Sequence, residues 1–171
     1  EEPQLIYDVF GTKEDYDENG PALARLKFCG GVPPRPLARG KLTKAARAVL
    51  SPATTLRQSI QQCGNIAGLV VGLYESDYSL ISRSLEDVII EPQRSQLIPG
   101  FAQVKEAAIA AGALGCSISG AGPSVFALCK GAACAQEAAK AMGAAFDRLD
   151  IPNDTYASPI NREGAKVIAS R

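Results

Sequence analysis

The stretch from Leu114 to Cys129 constrains the fold of this chain more tightly than any other. Two short runs of small and apolar residues, Leu114 to Ser119 and Ser124 to Cys129, flank Gly120-Ala121-Gly122-Pro123. Both runs are too short for an amphipathic helix, and the glycines and proline between them continue neither element. The pattern therefore predicts a strand, a tight loop and a second strand. The loop needs glycine because only glycine enters left-handed backbone conformations at little cost.

Helical sequence lies on both sides of this hairpin. Before it, Phe101, Val104, Ala108 and Ala111 recur at helical spacing over Pro99 to Ala111, with Gly112 where a left-handed cap residue is wanted. After it, Cys134 to Phe146 is rich in alanine, as helices that lie close against a sheet often are. Further back, Thr43 to Leu50 reads as a short helix capped by Thr43 and stopped by Ser51-Pro52. Leu56 to Tyr74 is longer, and its Leu56, Ile60, Cys63, Ala67, Val70, Val71 and Tyr74 share one face, the face expected to be apolar. Asp77 to Val88 continues in helical style until a break at Glu91-Pro92. The chain closes with two candidate strands, Thr155 to Ile160 and Ala165 to Ala169, joined by Asn161-Arg162-Glu163-Gly164.

Helices, a hairpin, another helix and further strands predict an α+β fold, a two-layer sandwich of an antiparallel sheet with helices on one face. Residues 1–41 read as an irregular lead-in and residues 42–171 as the domain. The stretch Gly30-Gly31-Val32-Pro33-Pro34-Arg35-Pro36 is expected to form neither a helix nor a central strand, and Leu5 to Phe10 and Leu23 to Phe28 at most edge strands.

Charge and composition narrow the chemistry. Lys plus Arg equals Asp plus Glu at 18 each, so there is no basic excess to neutralise nucleic-acid or membrane phosphates. No histidine is present, which excludes imidazole-dependent triads within this chain and most zinc ligand sets. The five cysteines, Cys29, Cys63, Cys116, Cys129 and Cys134, form no CxxC pair and read as core residues or thiols of a reducing cytoplasm.

A loop such as Gly120 to Pro123 can turn several backbone N–H groups toward an anion such as phosphate, with Ser117, Ser119 and Ser124 adding hydroxyls. The plainer reading is a connection that needs glycine for its dihedrals and nothing more. Two arginines, Arg47 and Arg94, could each clamp a carboxylate through their planar fork, or simply be solvated charges. Asp87 and Glu91 could be read as acid-base groups or magnesium ligands, but a structural role is preferred.

Five stretches resemble one family. Gly115 to Ser124 is similar to the glycine-rich signature near the carboxyl end of the GHMP small-molecule kinases. Leu97-Ile98-Pro99-Gly100 and Asp87-Val-Ile-Ile-Glu-Pro-Gln-Arg94 resemble the homoserine kinase branch, as do Thr43-Lys-Ala-Ala-Arg47 and the closing Arg162-Glu-Gly-Ala-Lys166. The resemblance implies a ferredoxin-like carboxyl-terminal half of such a kinase. It also implies homoserine as substrate and ATP with Mg2+ as co-substrate and cofactor, both held mainly by an amino-terminal half whose Gly-Leu-Gly-Ser-Ser-Ala loop is missing here. On this resemblance Arg47, Arg94 and Gly120 bind substrate, and Ser117, Ser119, Gly120, Ala121, Gly122 and Ser124 support the ATP phosphates. No catalytic base and no metal ligand are assigned, and the isolated chain is expected to be inactive. A non-catalytic amino-acid-binding or assembly module, or a GHMP kinase for mevalonate or a sugar, are the alternatives. A cytoplasmic protein is expected, without nucleic-acid or membrane partners, and a face uncovered by the missing half should make it self-associate as a homodimer.

Overall fold

The hairpin is present. In the computed structural model β2 (Gly115–Ile118) and β3 (Val125–Lys130) pair antiparallel, with Cys116 opposite Ala127 and Ile118 opposite Val125. The structure describes the backbone of residues 26–32 and 39–160, and the side chains of residues 44–160. On its other side β3 pairs with β1 (Leu26–Val32), which in turn pairs with β4 (Asp154–Pro159), both antiparallel. The sheet order is β2-β3-β1-β4. Two interleaved split β-α-β units in that order make the ferredoxin-like arrangement, an α+β fold as expected.

Placing β1 corrects the reading of the lead-in. A strand running to Val32 through Gly30 and Gly31 lies between two others, not at an edge. Glycine weakens a strand but keeps its N–H for the ladder, and the prolines that would remove donors begin only at Pro33, one residue beyond the strand. The sheet therefore draws an inner strand from before the boundary set at residue 41. The other early candidate, Leu5 to Phe10, and the late one, Ala165 to Ala169, lie outside the described residues.

Helix α1 (Arg39–Ala48) starts four residues before Thr43, so Thr43 sits inside the helix and does not cap it. A cap residue favours a start but does not compel one where no proline intervenes. α2 (Leu56–Glu75) opens on a reciprocal cap in which the Thr55 hydroxyl accepts from the N–H of Gln58, and the Gln58 side chain accepts from the N–H of Thr55. α3 (Tyr78–Ser84) ends sooner than the expected Val88. Asp87 explains the early stop: its carboxylate accepts from the N–H groups of Ile89 and Ile90, a local turn that competes with the helix. α4 (Glu91–Arg94) begins where a break was expected, because Pro92 occupies its first turn, where the missing N–H is not needed. A 3-10 turn at Ser95–Leu97 leads into α5 (Phe101–Ala110), and α6 (Gly131–Asp147) follows β3.

Alternation along β3 splits the core. Val125, Ala127 and Cys129 are buried against α5 and α6, among Val104, Ala108, Ala135, Ala138, Met142 and Phe146. The many alanines let both helices lie close to the sheet, and Phe146 and Met142 fill the remaining depth, each contributing about 2 kcal/mol of apolar burial. Leu128 points the other way and packs with Leu73 and Ile81, so the α2–α3 pair covers part of the second face of the sheet.

α2 is turned opposite to expectation. Its inward face carries Leu69, Leu73 and Gly72 together with Gln62, which accepts from the Val88 N–H at 3.0 Å, and Asn65, which donates to the Glu86 carbonyl at 2.8 Å. Gly72 lets α3 approach so closely that a Cβ there would lie 3.0 Å from the backbone nitrogen of Ile81. The stripe from Leu56 to Tyr74 consequently looks out of the domain, Val70 alone being half-buried.

α3 also carries a pH-dependent cap. The Asp77 carboxylate accepts from the N–H groups of Leu80 and Ser79 and from the Ser79 hydroxyl, and these bonds, that of Leu80 foremost, hold its carboxyl below the ordinary range. A group depressed by folding adds stability above its unfolded pKa of about 3.9, and that stability is lost as pH falls through the lower folded value. The difference in unfolding free energy between the chain and its Asp77→Asn variant should therefore shrink below about pH 4 and be constant near neutrality. A difference that grows in acid would contradict this.

Candidate functional site

Three separated stretches meet at Arg94. Half-buried at the end of α4, its guanidinium donates from Nε to the Ala46 carbonyl on α1 at 3.0 Å and from Nη1 to the Gly120 carbonyl at 3.1 Å. α4 is itself held from two sides. Glu91 pairs with Lys105 of α5, and Gln93 accepts from the Ser51 N–H at 2.6 Å while donating to the Ile89 carbonyl. The end of α1 is thus fastened beside the glycine loop by Arg94 and Gln93 together.

The loop is a tight turn within the hairpin. Ser119 donates its N–H to the Ser124 carbonyl at 2.8 Å, and Gly122 donates to the Ser119 carbonyl at 3.1 Å. Gly120 and Gly122 have φ of 60° and 77°, the left-handed region, and the Gly122–Pro123 peptide is cis. Its inner side is closed, since a Cβ on Gly122 would lie 3.1 Å from Cδ1 of the buried Ile98. Its outer side is open: Gly120 is exposed and a Cβ there would meet nothing within 4 Å. Among the described residues the N–H groups of Gly120 and Ala121 take no part in backbone hydrogen bonds. Ser119 is exposed beside them, and Ser117 and Ser124 are half-buried on either strand.

Of the candidate residues, Arg94 and Gly120 are therefore in direct contact. Arg47 is one residue from Ala46 but exposed, and among the described residues it makes no hydrogen bond or ion pair to the loop. A guanidinium has five N–H donors; among the described residues two of Arg94's are used, and the other three lie on Nη1 and Nη2. That outer edge can take both oxygens of a carboxylate.

The open side of the loop fits an anion, with two N–H groups and a hydroxyl to offer. A divalent cation finds less: Asp87 is occupied by the N–H groups of Ile89 and Ile90, and Glu91 by Lys105. Among the described residues no three His, Cys, Asp or Glu side chains gather as a metal site. No helix among them is long and apolar enough to cross a membrane.

Reading the residues alone missed the Ala46 carbonyl, Gln93, Ile98 and Lys105. A carbonyl has no sequence signal. Ile98 had one, as part of the Leu97-Ile98-Pro99-Gly100 motif, but nothing in that motif tied it to the glycine loop.

Comparisons with known proteins show the family and the fold. Residues 69–148 match the family described as GHMP kinases C terminal. The chain is 50% identical over 143 residues to the homoserine kinase of Chlorobium phaeovibrioides, covering 82% of this chain and 44% of that protein. It is 47% identical over 130 residues to the homoserine kinase of Chlorobaculum tepidum, covering 75% and 40%. The crystal structure of homoserine kinase from Cytophaga hutchinsonii superposes with a TM-score of 0.80 at 47% identity, over 86% of this chain and 46% of that one. A phosphomevalonate kinase of Streptococcus pneumoniae shares the fold at 14% identity and a TM-score of 0.54. The chain thus spans less than half the length of the relatives it matches.

Proposed function

Residues 69–148 are a GHMP kinase carboxyl-terminal domain, and from that premise we propose that the chain supplies the substrate-side half of an ATP-dependent homoserine kinase. The observation that carries this reading is Arg94, which joins α1, α4 and the glycine loop through two hydrogen bonds and keeps a fork of donors for an α-carboxylate.

In the reaction the side-chain hydroxyl of homoserine forms a bond to the γ-phosphorus of ATP, the bond to ADP breaks, and the hydroxyl proton is released. Such transfers depend mainly on alignment and charge stabilisation. This chain's contribution is positional. Arg94, with Arg47 from the adjoining helix end, holds the carboxylate and so sets where the hydroxyl reaches. The Gly120 and Ala121 N–H groups and the hydroxyls of Ser117, Ser119 and Ser124 support the phosphate side, with Gly122 seating the loop on Ile98. ATP itself and Mg2+ are gripped by the part of the relatives' length not represented here, so the isolated chain should be inactive. The product is an O-phosphorylated amino acid of the threonine route, and the work belongs in the cytoplasm, where ATP is the co-substrate.

The test is a chimera in which residues 43–160 of this chain replace the matching part of the Chlorobium phaeovibrioides enzyme. ATP-dependent phosphorylation of homoserine, in preference to mevalonate, is expected. A folded chimera that binds ATP but leaves homoserine untouched would defeat the assignment.

A further inference from the structure

We infer that the ion pair between Glu91 and Lys105 positions Arg94: through it, α5 sets the place of the fork that meets the substrate carboxylate. This role presupposes that Arg94 holds that carboxylate, and it adds two residues that act only through the guanidinium.

α4 has no orientation of its own. A single helical turn closes too few hydrogen bonds to be stable alone, so what its side chains grip decides how it lies. Gln93 holds the segment after α1, and Arg94 holds α1 and the glycine loop. Glu91, at the other end of the turn, holds α5 through Lys105. That helix is a firm support, since Phe101, Val104 and Ala108 root it in the main core. Lys105 also lies with Nζ 5.9 Å from the centre of the Phe101 ring, a second attraction that limits where its ammonium can go.

Stability does not account for a charged pair at this place. Glu91 is 8% exposed, and its Oε2 is enclosed without a hydrogen-bond partner among the described residues. Replacing such a pair by apolar side chains of similar volume is often neutral or stabilising, so it contributes little that packing could not. What packing lacks is direction. A charge-assisted hydrogen bond constrains both distance and angle, whereas an apolar contact would let α4 slide or rock over α5. A displacement of about 1 Å in a group that aligns a substrate can cost about a hundredfold in rate, so the turn that carries the substrate fork gains from a fixed end.

In the chimera with the Chlorobium phaeovibrioides kinase, Lys105→Met should raise the Michaelis constant for homoserine roughly tenfold and leave that for ATP unchanged. Glu91→Gln combined with Lys105→Met leaves no stranded charge and so is the more stable of the two variants, yet it should keep the raised constant, because methionine offers no donor to fix α4. Added to Arg94→Ala, Lys105→Met should raise the constant no further, since both act through one guanidinium. In the chain itself, exchange of the Arg94 Nε proton, held by the Ala46 carbonyl, should quicken in both Lys105 variants. A homoserine constant that returns to the parent value in the double variant, a further rise on top of Arg94→Ala, or unchanged exchange at Nε would reduce the pair to a stabilising contact and overturn the inference. If Arg94→Ala itself leaves the constant unchanged, the substrate role of Arg94 falls and this one with it. If Arg94→Ala raises the constant and Lys105→Met does not, the positioning role alone falls.

Discussion

Arg94→Ala, made in the chimera with the Chlorobium phaeovibrioides kinase, should raise the Michaelis constant for homoserine by roughly 10- to 100-fold and leave that for ATP within a small factor. The magnitude follows from removing charge-assisted hydrogen bonds, about 1.5 to 3 kcal/mol, at about 1.4 kcal/mol per tenfold. The side chain has two jobs, and the measurement separates them. Its bonds to Ala46 and Gly120 fasten backbone to backbone, and their loss should appear as a modest fall in stability and in kcat as the loop loosens. Its outer edge meets substrate, and that loss should appear in the Michaelis constant. Arg94→Lys should not rescue, because an ammonium offers no planar fork and cannot bridge two carbonyls while holding a carboxylate. An unchanged Michaelis constant with lowered stability would reduce Arg94 to a staple.

The largest effect on stability is expected at Lys105. Glu91 is nearly covered, its side chain only 10% exposed; one oxygen pairs with Lys105, and among the described residues the other has no hydrogen-bond partner. Lys105→Met would strand that carboxylate, which costs about 2–3 kcal/mol, below the range of about 3–5 kcal/mol for a fully buried pair because the lysine itself keeps some solvent. With a urea m-value of about 2 kcal/mol/M, the unfolding midpoint should fall by about 1 M. Lys140→Met removes the partner of Glu137 in an exposed pair, and should change the midpoint by well under half as much. Glu91→Gln combined with Lys105→Met should recover part of the loss, because Glu91→Gln removes the stranded charge. Equal effects at Lys105 and Lys140 would show that burial does not govern the Glu91 pair.

The parts of this protein that could be read from sequence are those whose physics is local. The hairpin of β2 and β3, the glycine turn between them, and the alanine-rich α6 follow from chain stiffness and spacing, and each falls within a few residues of its expected place. Likewise Arg94 and Gly120 could each be named as a candidate substrate contact from their motifs, though neither their contact with each other nor the carbonyl by which Arg94 reaches α1 could be read there. In the structure Asp87 caps a turn and Glu91 is the ion-pair partner of Lys105.

Tertiary structure decided the rest. Whether Leu26–Val32 is an edge strand or an inner one depends on which strands come to flank it, more than 90 residues later, and glycine content alone cannot report that. Which face of α2 turns inward was likewise not a matter of periodicity. An apolar stripe marks the side of a helix that must leave water, but not whether its own domain or a second chain provides the shelter; here Gln62, Asn65 and Gly72 found the closer fit inside. Local sequence determined the elements and the chemistry of the loop, whereas the long-range pairing of β1 and the packing of α2 set where those elements stand, because both are fixed by partners distant in the chain.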